Sequence, residues 1–379
     1  MKLAEILRMD YFRYQLLAWR FSGSFELSEG NYLSLALFWN IVVYLPTPMA
    51  MAAMFSFDDP LENNYNFIMS ITSQSNLVKF LLYVTQLTKL IEIQRIIEQL
   101  DARVTGMNQL LRHEKMSKHM QRMSRLFVIT YGIVFINAAV PFIFETERSL
   151  PLPMWFPFDW RNSTVAYIAA LALQEIGILF QIIINCAADS FPPLALFLVT
   201  EQGRLLSLRI SQIGYGPSTL KENEQDLVKC IEDQNMLYGL LDLIQAIISY
   251  PMMVQFLAIG INIATNLFGL VFYVESLYDR LLYVCYLVAL IVETFPLCYY
   301  GTKVEESFAE LHYAVFCSNW VEQSAQYRGF MLILEERTKR QQLLLAGNLV
   351  PIHLSTFVAC LKGSYSFFTL MVNRSGRGS

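Results

Sequence analysis

Long apolar stretches recur along this chain, separated by segments in which charged residues return at helical spacing. A bilayer core about 30 Å thick takes about 20 apolar residues of helix. Seven stretches qualify: 33–55, 67–87, 126–146, 164–186, 250–274, 279–300 and 349–371. The second is interrupted by Thr72, Ser73, Gln74, Ser75, Asn76 and Lys79. A polar stripe on a spanning helix must face protein or water, so this helix is expected to line something. Between the spans, Leu90, Ile93, Ile97, Leu100 and Val104 predict one amphipathic helix over 88–125. Residues 186–211 extend the fourth span inward, with Pro192-Pro193 marking a bend. Gly214 and Gly216-Pro217 mark a loop. From Lys221 a helix resumes through Leu227, Ile231, Leu237, Leu241 and Ile244 and feeds the fifth span. Residues 301–348 read as a further helical stretch. Its aromatic residues Phe308, Tyr313, Phe316, Trp320, Tyr327 and Phe330 suit either a subunit interface or packing within one chain. The pattern predicts an all-α polytopic membrane protein with seven transmembrane helices and long helical extensions on one side.

Composition agrees. Hydrophobic residues make up 55% and charged residues 16%, against about 25% charged in soluble domains. Too few charges exist to cover a water-facing surface. A net charge of −4 gives no reason to expect nucleic acid as a partner. Lysine and arginine are distributed unevenly. Of 28, the N-terminal segment and segments 88–125, 201–249 and 301–348 hold 21, and the alternate loops and tail hold five. The excess of basic residues marks the cytoplasmic side, so the N-terminus is predicted inside and the C-terminus outside. Residues 1–30 contain no uninterrupted apolar core, and the first span is expected to be an uncleaved anchor. Asn162-Ser163-Thr164, a glycosylation acceptor pattern, falls in a predicted outer loop.

Chemistry-bearing motifs are sparse. The six cysteines lie in or beside apolar segments or on the inner side, and none makes a C-x-x-C pair, so neither a disulfide framework nor a zinc site is expected. His113, His119, His312 and His353 have no metal-ligand spacing. No Gly-x-Ser-x-Gly, His-Glu-x-x-His or Walker loop occurs, so neither enzyme chemistry nor a cofactor is expected. A G-protein-coupled receptor is disfavoured by the inside N-terminus, by the absence of Asp-Arg-Tyr, and by the absence of Asn-Pro-x-x-Tyr from the last span.

Two features ask for an explanation. Lys79, Glu175, Glu293 and Lys362 lie within spans, where lipid exposure costs roughly 2.5–3.5 kcal/mol each. They should pair or face water, and Glu293 is the candidate partner for Lys362. The seventh span, which Pro351 is expected to start, carries Ser355, Thr356, Lys362, Ser364, Ser366, Thr369 and Asn373. That much polarity fits either helix–helix packing or a water-filled path.

The C-terminal third carries a recognisable pattern. Cys298-Tyr299-Tyr300-Gly301 is followed by Ser307, Leu311, Ala314, Ser318 and Trp320, then Leu344-Leu345-Ala346-Gly347. The run Lys362-Gly363-Ser364-Tyr365-Ser366-Phe367-Phe368-Thr369-Leu370 is its most specific part. Phe156-Pro157-Phe158-Asp159-Trp160 and Ile231-Glu232-Asp233-Gln234 fit as well. The chain resembles the insect odorant receptors over essentially its whole length. Gustatory receptors of the same superfamily usually carry Thr-Tyr-x-x-x-x-x-Gln-Phe where this chain has Ser-Tyr-Ser-Phe-Phe-Thr-Leu.

The resemblance implies a non-selective cation channel, a heterotetramer with the shared co-receptor Orco in the plasma membrane of olfactory neuron dendrites. It divides the chain into residues 1–348, with an odorant pocket and cytoplasmic anchor segments, and residues 349–379, a pore-lining helix and short tail. Leu370 would form the outer gate, with Asn373 just beyond it and Thr369, Ser366, Tyr365 and Lys362 along the path. A ring of leucines closes by dewetting. Small volatile odorants suit an apolar cavity with aromatic walls and a few polar groups. The implied pocket draws on Met69, Thr72, Ser73 and Asn76, on Phe135, Ala139 and Phe142, on Tyr167, Leu171 and Gln174, and first of all on Tyr283 and Tyr286.

Overall fold

The computed structural model describes residues 10–25, 49, 59–144, 149–152, 154–339 and 342–375; within helices, the side chains of 138–144 and 374–375 lie outside the description, as does most of the expected first span 33–55. After a 3-10 turn at Asp10–Phe12 come α1 (Arg13–Phe21) and α2 (Pro60–Val84). The start of α2 is set locally: Pro60 occupies its first position and the Asp59 carboxylate accepts from Leu61 N at 2.9 Å. A 3-10 turn at Leu87–Lys89 leads to α3 (Leu90–Asp101), and then come α4 (Met107–Phe144), α5 (Thr164–Gln212), α6 (Leu220–Phe272) and α7 (Leu277–Phe316). Helix α8 (Ala325–Thr338), the short strands β1 (Leu345–Ala346) and β2 (Val350–Pro351), and α9 (Leu354–Ser375) complete the chain. Helices α5, α6 and α7 are each long and apolar enough to cross a bilayer.

Several expectations need correction. The segment 88–125 is two helices, because the chain turns at 102–106 through Gly106 before α4 begins. At the expected bend of Pro192 and Pro193, the helical assignment of α5 continues without a break. Proline at 192 leaves the Ala188 carbonyl without its helical donor, and the Tyr83 hydroxyl of α2 donates to that carbonyl at 2.9 Å. The stretch 301–348 is not wholly helical. It holds the end of α7, then α8, then β1 and the turn into β2. Pro351 does not start the last helix but lies in β2, and α9 begins at Leu354. Gly347 and Asn348 both have φ of +58°, in the three-residue loop between the paired Ala346 and Val350, where Leu349 N donates to the Ala346 carbonyl at 3.1 Å. The loop after α5 falls at Gly214–Pro217 as expected, and Thr219 with Glu222 forms a capping box at the start of α6.

The molecule has an inner and an outer storey. In the inner one, Trp19, Leu90, Ile93, Phe191, Leu194, Leu240, Leu311 and Tyr327 belong to one continuous apolar core. Phe308 and Tyr327 are buried in it, whereas Tyr313 and Phe316 are exposed. In the outer storey the apolar contacts break into small clusters, and Val165, Ile168, Leu257, Val271, Val284 and Val288 are exposed. Lipid is as apolar as these side chains, so burying them gains little.

Candidate functional site

Where α2, α6 and α7 meet in the outer storey, polar and aromatic side chains form two hydrogen-bonded layers. In the upper layer the Tyr283 hydroxyl donates to Asn64 Oδ1 at 3.1 Å, and Asn64 Nδ2 reaches the Thr265 carbonyl at 3.4 Å. Ile68, Val274 and Tyr283 are buried around it, with Met69, Leu270 and Tyr286 alongside. Gly269 makes room for this layer: a Cβ there would lie 2.5 Å from Asn64 Oδ1 and 2.6 Å from the Tyr283 ring. In the lower layer Thr72 is the hub. Its hydroxyl donates to the Ile68 carbonyl at 2.9 Å, accepts from Asn262 Nδ2 at 3.0 Å and meets the Tyr286 hydroxyl at 2.8 Å. With its proton on Ile68, Thr72 takes that of Tyr286.

Sequence reasoning found four parts of this arrangement, Met69, Thr72, Tyr283 and Tyr286, and missed those that α6 supplies. Asn262, Thr265 and Asn266 are buried, and Asn262 Oδ1, Thr265 Oγ1 and Asn266 Oδ1 have no hydrogen-bond partner among the described residues. The signal was present as Asn262, Thr265 and Asn266 within an otherwise apolar run. Spacings of three and four bring 262, 265, 266 and 269 to one helix face.

Of the other expected pocket residues, none of those described hydrogen-bonds to these two layers. Ser73 donates to Gln181 of α5 at 3.1 Å, and Asn76 is buried. Gln174 is fully buried and both ends of its amide grip the outer loop: Oε1 accepts from Leu152 N at 3.1 Å and Nε2 donates to Leu152 O at 2.9 Å. Tyr167 donates to the Ser149 carbonyl at 3.1 Å. These two therefore tie the loop to α5. Phe135 and Leu171 are half-buried on α4 and α5, and the side chains of Ala139 and Phe142 lie outside the described ones. Asn162 is exposed just before Ser163, the N-cap of α5, and its amide donates to Asp159.

Below the Thr72 layer lies a charged knot. Lys79 Nζ donates to Asp189 Oδ1 at 2.7 Å, Asn185 Oδ1 at 2.8 Å and Gln255 Oε1 at 2.5 Å. Glu293 stands 3.7 Å from the same nitrogen and accepts from Gln255 Nε2. The Tyr131 hydroxyl of α4 closes on Asp189 Oδ2 at 2.5 Å. Glu293 thus belongs with Lys79, not with Lys362, and Asp189 is a buried charge that the sequence reading left outside the fourth span. Glu175 is half-buried on α5.

Helix α9 packs against α6 and α7 along one side, where Thr356 and Ser364 are buried. The opposite side presents Ser355, Ala359, Lys362, Ser366, Leu370 and Asn373, all exposed, at spacings of three and four. Tyr365 is exposed beside them and Thr369 is half-buried. The Ser366 and Thr369 hydroxyls donate to the Lys362 and Ser366 carbonyls at 3.0 and 2.8 Å, so each is satisfied within the helix. Among the described residues no cluster of His, Cys, Asp and Glu could hold a metal ion.

Comparison with known proteins bears on the family and the fold. The family model described as 7tm Odorant receptor matches residues 59–365. Odorant receptor 23a of Drosophila melanogaster is 66% identical over the full length of both chains. Odorant receptor 59a of the same species is 31% identical, covering 96% of this chain and 97% of the relative. Among solved structures, the insect olfactory receptor OR5 from Machilis hrabei superposes with a TM-score of 0.80 at 13% identity, over 96% of this chain and 99% of that one. The same receptor in complex with eugenol gives 0.81. A seven-helix membrane protein with these relatives is a receptor rather than an enzyme, and the chain belongs to the 7tm odorant receptor family.

Proposed function

We propose that this receptor is the tuning subunit of an odorant-gated, non-selective cation channel, assembled as a heterotetramer with the shared co-receptor Orco in the plasma membrane. The exposed polar stripe of α9 carries the reading. Facing hydrocarbon with the exposed Lys362 ammonium costs roughly 2.5–3.5 kcal/mol, and the exposed Asn373 amide adds to that cost. A water-filled path shared between subunits hydrates that face, with Leu370 as the hydrophobic constriction. Residues 349–379 then form the pore element and residues 1–348 the sensing and anchoring body.

The Thr72, Asn262, Tyr283 and Tyr286 layers supply the odorant site. Aromatic walls take an apolar body, and the open acceptors on Asn262 and Asn266 take a hydroxyl or amine proton. The complex of OR5 with eugenol, a small aromatic phenol, supports a ligand of this class. Binding shifts the equilibrium toward the open pore only by its differential affinity for that state. Whole-cell recording tests the proposal. Odorant-evoked current is expected from cells expressing this chain with the co-receptor and not from this chain alone. No current from the pair over a broad odorant panel would overturn it.

A further inference from the structure

The knot beneath the pocket does not balance its charges. It contains one ammonium, Lys79, and two carboxyl groups, Asp189 and Glu293, from α2, α5 and α7. Lys79 and Asp189 are 1% exposed and Glu293 is 11% exposed. The three protons of Lys79 are committed to Asp189, Asn185 and Gln255, so none is left for Glu293. Glu293 instead takes one donor, Gln255 Nε2, and stands with Asp189 around the single ammonium, 3.7 and 2.7 Å from it. The other ionisable groups that face the knot are Tyr83 on α2, Tyr131 on α4, Cys186 on α5 and Tyr286 on α7, and α6 contributes only the neutral Gln255. No second cation is among the described groups.

Two carboxylates around one ammonium, buried between three helices, would carry a net negative charge, which is strongly unfavourable. A proton held by one of the two acids removes that excess charge. The geometry points to a proton-binding site made of Glu293 and Asp189, occupied at neutral pH. Its position gives it consequence. Lys79, Gln255 and Glu293 each stand seven residues from a member of the lower pocket layer, namely Thr72, Asn262 and Tyr286. Two helical turns place the knot about 10 Å below that layer on the same helix faces. Loss of the proton charges the floor of the pocket and pushes α5 and α7 apart, and ligand-driven movement of α2, α6 or α7 acts on the same contact.

Infrared difference spectroscopy on the full-length receptor in lipid nanodiscs tests this directly. At neutral pH the un-ionised carboxylic acid C=O stretch is expected in the unaltered protein and in Glu175→Gln. It is expected to be lost in Glu293→Gln and also in Asp189→Asn, where Lys79 balances the single remaining carboxylate. Absence of the band from the unaltered protein, or its survival in both knot variants, would overturn the site. This measurement does not depend on the channel reading: a receptor that shows the band yet passes no odorant-gated current contradicts the channel alone.

Discussion

Gly301 of α7 lies directly beneath the carbonyl of Ile352, so close that a Cβ at 301 would stand 1.9 Å from that oxygen. This contact seats the hairpin that leads into the last helix. The same junction is held by Leu354 N donating to Thr302 Oγ1 at 3.1 Å, and by Ser249 and Gln245 of α6 donating to the Leu345 carbonyl at 2.7 Å each. The inner end of α9 is therefore fixed to the cytoplasmic body.

Gly301→Ala tests that seat. Backbone cannot yield as a side chain does, so the change should cost about 1–3 kcal/mol or more, as overpacking does. A lower melting temperature in detergent and reduced surface amounts are expected. A variant as stable as the unaltered chain would show that the hairpin is not held there.

Two polar residues of the outer storey should separate by phenotype. Tyr286→Phe removes the donor to Thr72 and leaves the ring, a loss of about 0.5–1.5 kcal/mol, and it should shift odorant dose–response curves by roughly two- to tenfold. Gln174→Ala frees the outer loop at Leu152 and should lower surface abundance, with the dose–response midpoint unchanged. Equal shifts in midpoint from both would contradict the assignment of the pocket to α2, α6 and α7.

Removing the cation from the knot should be severe. Lys79→Met leaves Asp189 and Glu293 without it, and breaking a buried ion pair this way costs about 3–5 kcal/mol. The double change Lys79→Met, Asp189→Asn should recover part of the lost melting temperature, because the one carboxyl left, Glu293, can hold the proton and leave no stranded charge. Additive losses in the double variant would argue that the pair is not coupled.

These sites differ in how far the sequence exposed them. Span positions, the loop at Gly214–Pro217 and the polar character of the last helix follow from spacing of three and four and from a transfer cost that admits few alternatives. Partner choice does not follow from spacing. Lys79 and Asp189 are 110 positions apart, and nothing local tells Glu293 to face Lys79 rather than Lys362. The Asn262, Thr265, Asn266 face was visible as a polar interruption, but its facing of α2 depends on packing between helices. Gln174 has the right depth for a pocket residue, and only the path of the loop through Leu152 shows what its amide holds.

A pH effect should arise on the cytoplasmic side. Burial, reinforced by the neighbouring Arg122, lowers the His119 pKa, while Glu201 opposes the shift. The imidazole contacts the Tyr300 hydroxyl at 2.7 Å and packs on Phe197 at 4.6 Å. In the unfolded chain the residue takes up a proton more readily than in the fold, so acidification stabilises the unfolded state. Its contribution is fully present above the ordinary histidine value, near 6.5, and is lost as pH falls below it. Thermal melts of the purified receptor from about pH 7.5 to 5.5 should show a decline that is smaller in His119→Gln. An identical decline in both would assign it to other groups.

The wet face of α9 is the claim on which the channel rests, and cysteine accessibility in the working assembly measures it. With the co-receptor present, Ser366→Cys and Leu370→Cys should make odorant-evoked current sensitive to a charged thiol reagent applied from outside. Ser364→Cys, on the buried side, and the unaltered chain should be insensitive. Block that is absent at 366 and 370, or equal on the two sides of the helix, would contradict the account.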